Sequence, residues 1–140
     1  MTTTTTDGQD FPGVLTTLKA YYDGLYHLDV DRLRQVFSPK ARYATASGGE
    51  LLELSIEDYF KRLAQRTAPA SVHTPYGYTV HSIAFAGPVT AFAEVRCSLF
   101  DHDYIDFLTL LRLDGEWRIQ SKVFHGTPVP QTELHQTEAS

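Results

Sequence analysis

Apolar residues recur at spacings of three and four through Val14, Leu15, Leu18, Tyr21, Tyr22, Leu25 and Tyr26, and Pro12 suits a first helical turn, so a helix is predicted here. Asp29 caps a second, shorter helix whose apolar positions are Val30, Leu33, Val36 and Phe37 and which Pro39 ends. Ser55 followed by Asp58 resembles a capping box for a third, with Ile56, Tyr59, Phe60 and Leu63 on its buried face. Between the second and third helices, Ala41 to Ala46 and Leu51 to Leu54 read as short strands around Gly48 and Gly49. The second half changes period from helical to alternating, and turns at Gly87-Pro88, Asp101-His102 and Asp114-Gly115 divide it into four long strands. Helices first and a meander second predict an α+β fold, a curved, mostly antiparallel sheet wrapped around three helices.

The turns also predict register. A two-residue loop at Asp114-Gly115 sets Leu113 opposite Glu116, Leu110 opposite Ile119 and Asp106 opposite Val123. The Asp101-His102 turn sets Cys97 opposite Asp106, and Gly87-Pro88 sets Ala84 opposite Ala91. One face then carries Tyr76, Tyr78, Val80, Ser82, Ala84, Val95, Cys97, Leu99, Tyr104, Asp106, Leu108, Trp117, Ile119, Ser121, Val123 and His125. It is aliphatic toward the Gly87 and Asp114 turns and richer in tyrosine, with Cys97, Asp106 and His125, at the other end, which predicts a closed core and an open, polar mouth. The pocket expected there is bounded by Tyr22, Tyr26, Tyr43, Tyr59, Tyr76, Tyr78, Leu99, Tyr104, Asp106, Val123 and His125. The opposite face mixes Ile83, Phe85, Phe92, Phe107, Leu111 and Phe124 with charged residues, a surface suited to a homodimer through Phe92, Phe107 and Phe124. A single bulge would break this register.

The chain has 140 residues, enough for one domain, and a net charge of −5 with no basic cluster, which argues against nucleic acid as a partner. Cys97 is the only cysteine, so no internal disulfide forms, and no apolar run approaches a membrane span, so a cytoplasmic setting without a membrane partner is expected. Residues 1–10 and 126–140 lack apolar periodicity and read as flexible tails around a domain at 11–125; no leader is evident, so the mature chain is expected to be the whole chain.

Of the chemical constellations, a Ser121, His125, Asp106 triad fails because Ser121 and His125 lie about 13 Å apart along one strand. Cys97 beside a carboxylate has its thiolate disfavoured and reads as a small buried hydrophobe. His27, Asp29 and Asp31 do not make a calcium loop, since Arg34 and Lys40 stand where glycine and glutamate are needed; Asp101-His102-Asp103 reads as hairpin turn. No metal and no cofactor is expected. Asp106 and His125, diagonal neighbours in the expected register, are the candidate catalytic pair.

The order of elements carries a resemblance: Tyr22-Asp-Gly-Leu closing a helix, Asp29-Val-Asp-Arg-Leu with Phe37-Ser-Pro, then Asp106-Phe-Leu-Thr-Leu-Leu and Asp114-Gly-Glu-Trp-Arg-Ile-Gln-Ser-Lys-Val-Phe. Over residues 11 to 125 it resembles the nuclear transport factor 2-like superfamily, with its last hairpin most similar to the putative lumazine-binding and SnoaL-like branches. The resemblance implies a cystatin-like cone of sheet with an internal pocket, usually dimeric through the sheet, and no one chemistry. No residue here is matched to a flavin-like site. Ketosteroid isomerase, a relative by fold, pairs an aspartate base with a tyrosine donor, a logic to which Asp106 with Tyr22 or Tyr26 is loosely similar. Scytalone dehydratase, another, works with histidines and tyrosines, for which His125, Tyr104, Tyr43 and Tyr26 are candidates. The expected function is a pocket for a small apolar, cyclic or aromatic ligand, with isomerase- or dehydratase-type chemistry as one reading and a non-catalytic homodimeric interaction or ligand-sensing module as the other.

Overall fold

The computed structural model describes residues 9–72 and 77–129. Its elements follow the predicted order: α1 (Phe11–His27), α2 (Val30–Val36), β1 (Phe37–Thr45), β2 (Leu52–Ser55), α3 (Ile56–Leu63), a short 3-10 turn (Pro69–Val72), then β3 (Tyr78–Phe85), β4 (Thr90–Leu99), β5 (His102–Leu113) and β6 (Glu116–Pro128). The strands form one six-stranded sheet in the order β2-β1-β6-β5-β4-β3. Every neighbouring pair is antiparallel except β1 with β6, which is parallel, and the chain crosses from one edge of the sheet to the other between β2 and β3. The sheet curves around the helices as an α+β cone, and Val14, Leu18, Tyr21, Leu33, Ala93, Val95, Leu108, Leu110 and Ile119 fill its core without solvent exposure. No helix among the described residues is long and apolar enough to cross a membrane.

The helix ends form where their side chains can satisfy free backbone donors. Asp29 accepts from the Arg32 N–H and Ser55 from the Asp58 N–H. Asp10, expected in the loose N-terminal tail, belongs to the domain: it caps α1 by accepting from the Gly13 N–H at 3.1 Å and from Trp117 Nε1 at 3.0 Å. The Trp117 bond, then the Gly13 bond, holds its carboxyl below the usual range. Residues 1–8 of that tail and 130–140 of the C-terminal one lie outside the described residues, whereas 126–128, expected in the latter, continue β6 against β5. Gly24 permits the close crossing of α1 and α2, since a Cβ there would stand 2.8 Å from Leu33.

Two bulges change which side chains face the helices. In β6, Leu113 pairs with Glu116 and Leu110 with Ile119 as predicted, but Gln120 is then passed over and Thr109 pairs with Ser121. Asp106 consequently faces Phe124 rather than Val123. Beyond Gln120 the alternation is inverted: Lys122 and Phe124 point inward, while Val123, 50% exposed, and His125 point out. In β3 the same happens at His81, so Ile83 and Phe85, expected outside, join the core side, and Phe85 packs edge-on against Phe11 and Trp117. The β4-β5 turn sits one residue earlier than predicted, on Phe100 and Asp101, both at positive φ, so Cys97 pairs with Tyr104 and Val95 with Asp106. That slip is by two residues and leaves the faces unchanged.

Candidate functional site

At the wide end of the cone a cavity of about 480 Å³ opens between α3, β1 and the inner face of β4 to β6, a volume typical of small-molecule pockets. Tyr43, Tyr59, Leu99 and Tyr104, four of the predicted lining residues, line it; so do Lys122, Phe124, His102, Cys97, Arg62 and Arg66. No aspartate or glutamate is among its described lining residues. β1 is pinned to β6 at this mouth by the Thr45 hydroxyl, which donates to the Phe124 carbonyl at 2.6 Å, and by Ser47, which accepts from the Gly126 N–H at 2.9 Å. Gly126 has no room for a side chain, because a Cβ would lie 2.8 Å from the Tyr104 ring.

Lys122 is the centre of the arrangement. The β6 bulge turns it inward, where it is 6% exposed, and its Nζ lies 3.9 Å from Asp106 Oδ2. Burial is the largest single influence and pulls its pKa down, but the Asp106 carboxylate, together with Tyr59, Tyr43 and Cys97, holds it above the ordinary 10.5, so the group is an ammonium. Nζ donates to the Tyr21 hydroxyl at 2.6 Å, and the rings of Tyr21, Tyr43, Tyr59, Tyr104 and Phe124 surround it at 5.0 to 5.8 Å from their centroids. This aromatic shell replaces part of the hydration that a buried cation loses.

The Tyr21 oxygen, occupied as acceptor by Lys122, turns its own O–H toward Tyr59, 3.2 Å away. Tyr59 accepts it and has its hydroxyl left to donate into the cavity that it lines. Each bond in such a chain polarises the next. Tyr21 is a neutral phenol at ordinary pH, its pKa pushed well up by burial and then by neighbouring Tyr59 and Asp106. Tyr43 is raised to about 12 and Tyr104 is raised as well, both chiefly by burial, so they too keep their protons and can donate.

Asp106 does not line the cavity. It is fully buried behind Lys122, accepts from the Tyr22 hydroxyl at 2.7 Å through Oδ2, and its Oδ1 has no donor among the described residues. It is a counter-ion to Lys122, and Tyr22, also predicted to face the ligand, is its hydrogen-bond donor below the cavity floor. Tyr78 stacks on Tyr22 at 4.6 Å rather than reaching the cavity, and Tyr26 packs edge-on against His27. Tyr76 lies outside the described residues. His125 pairs with Ile105 and lines an open groove on the outer face with Arg96 and Asp103, so the expected Asp106 and His125 pairing does not form; the bulge at Gln120 has put the two on opposite sides of the sheet. Val123 leaves the pocket for the same reason, and Phe124, expected in the dimer face, enters it.

His102 is the residue that the predicted hairpin concealed. With the turn on Phe100 and Asp101, it begins β5 opposite Leu99 and lines the cavity, its ring stacked on Tyr104 at 5.7 Å. Its Nδ1 lies 3.0 Å from the Phe100 carbonyl, which can only accept, so Nδ1 carries a proton and in the neutral ring the lone pair is on Nε2. Cys97 is passive, its thiol pushed up to about 12, first by burial and then by Asp106. Among the described residues, no three of histidine, cysteine, aspartate and glutamate come together to hold a metal.

Comparison with known proteins bears on the fold and the family. The chain is 27% identical over 124 residues to the aldolase FrzH of Cladobotryum sp, covering 85% of this chain and 93% of that protein. A crystal structure of an NTF2-like protein of unknown function from Shewanella baltica OS155 is similar with a TM-score of 0.75 at 23% identity, covering 86% of this chain and 95% of that one. A putative ketosteroid isomerase from Kribbella flavida DSM 17836 shares the fold with a TM-score of 0.51 at 16% identity, covering 82% and 78%. The pattern of the family described as "Putative lumazine-binding" matches residues 9–125, so the chain belongs to that family, and its fold is that of the NTF2-like structures.

Proposed function

We propose that the cavity binds a cyclic or aromatic carbonyl compound and promotes chemistry through its enolate. The observation that carries this reading is the chain from the Lys122 ammonium through Tyr21 to Tyr59, which aims a polarised hydroxyl and a buried positive charge at one site. A carbonyl oxygen held by Lys122 and Tyr59 becomes more negative as the α-carbon loses its proton, so those two groups bind the enolate better than the ketone. The His102 Nε2 lone pair takes the proton and becomes imidazolium, while the electrons of the broken C–H bond move to oxygen. Returning the proton at another carbon is isomerisation. Attack of the enolate on a second carbonyl, whose alkoxide then takes the proton from His102, is aldol addition; the similarity to a protein named as an aldolase favours that branch. Asp106, the expected base, acts in this scheme through Lys122 by keeping it charged.

Deuterium exchange reads enolate formation without knowledge of the full reaction. Cyclic ketones incubated with the protein in D₂O are expected to lose α-proton NMR signal faster than in buffer. Exchange should vanish in His102→Gln and fall about 10²- to 10³-fold in Tyr59→Phe, the range for removal of one oxyanion donor. Ketones that bind without exchanging would instead make the chain a ligand-sensing module.

A further inference from the structure

The charge of the cavity wall is opposite to that of the chain. The whole sequence carries −5, yet the described lining presents Lys122, Arg62 and Arg66 and no acidic residue. Arg62 lies in the last turn of α3 and Arg66 just beyond it, both exposed at the mouth, and neither has a carboxylate partner among the described residues. The Arg66 guanidinium lies over the Phe100 ring, 4.5 Å from its centroid, a cation–π contact that uses none of its N–H donors and so leaves them for an anion. Lys122 shares its charge with Asp106, 3.9 Å from its Nζ, and in the enolate reading its remaining hydrogen-bonding capacity goes to the carbonyl oxygen, so a separate carboxylate falls to the rim. The cavity thus has an occupied cation at its floor and two unoccupied ones at its rim, with aromatic side chains between them.

From this juxtaposition we propose that the substrate is a cyclic or aromatic carbonyl compound that also bears a carboxylate, with the carboxylate on Arg62 and Arg66 at the mouth and the carbonyl oxygen toward Lys122 and Tyr59. The proposal rests on the enolate reading above and adds the substrate's charge and its direction of entry. Two guanidinium groups can grip a carboxylate through paired N–H bonds, which sets the ring's orientation as well as its affinity.

Isothermal titration calorimetry with 2-naphthoate and 2-naphthamide, matched in shape and differing in charge, tests it on the intact chain. Naphthoate is expected to bind at least about tenfold more tightly, with the advantage shrinking as salt is added. In Arg62→Gln/Arg66→Gln that advantage should disappear, the two probes binding with about equal affinity. Equal affinities in the wild type would overturn the anionic substrate and leave the enolate reading standing. A preference that survives in the double variant would overturn the assignment to the two arginines. If neither probe bound, the proposal and the pocket reading beneath it would fall together.

Discussion

Lys122 gives the site its charge, and the cost of placing a cation there falls on Asp106. A buried ion pair broken from one side leaves an uncompensated charge, worth about 3 to 5 kcal/mol, whereas removing both charges costs much less. Lys122→Met is therefore expected to destabilise the protein by roughly that amount, since it strands a carboxylate that is fully buried and has one oxygen without a donor. Asp106→Asn/Lys122→Met should recover most of the loss in urea denaturation without recovering any α-proton exchange. If the two single losses added in the double variant, the residues would not be coupled. At this scale the sequence was partly informative. It singled out Asp106 as a candidate catalytic carboxylate and placed Tyr22, Tyr43, Tyr59 and Tyr104 with it around one expected pocket, but offered His125 as the partner in place of Lys122. A lysine between Ser121 and Val123 reads as a solvated strand residue unless the face of that strand is known.

The reason lies in the strands. Periodicity, caps and turn residues made the three helices and the four-strand meander legible, including the Asp114-Gly115 turn, where φ is +52° and +81°. Bulges leave a fainter mark. Trp117, Ile119, Ser121, Val123 and Lys122, Phe124 both alternate acceptably, and only the polar pair Gln120 and Ser121 hints that the register changes between them. The β4-β5 turn was obscured differently, because it places Phe100 at a φ of +54°, a conformation that bulky residues rarely adopt. The inverted faces have consequences that stability measurements can read. Phe85, packed on Phe11 and Trp117, should cost about 2 to 3 kcal/mol when changed to alanine, whereas Ala84→Ser on the outer side should stay within about 0.5 kcal/mol. Similar costs for the two changes would put the bulge at His81 in doubt.

For the molecule as a whole, the curved sheet has helices on its inner side and an outer face that still carries Phe92 and Phe107, 39% and 44% exposed, with ring centroids 5.4 Å apart. Val123 takes the place expected of Phe124 on that face. A homodimer through this corrected patch is expected, and Phe107→Glu should turn it into monomer by light scattering at micromolar concentration, since a carboxylate in an apolar contact is left without a partner. A wild-type monomer would contradict the pairing without touching the cavity. The cavity's central claim is that Lys122 and Tyr59 together stabilise an oxyanion, and the most direct measurement is the absorbance titration of 4-nitrophenol bound to the protein. The account predicts that binding lowers the apparent pKa of the phenol by about one unit or more, equivalent to about 1.4 kcal/mol per unit, and that Tyr59→Phe reduces the shift. A phenol bound in its neutral form, with its pKa unchanged or raised, would contradict it.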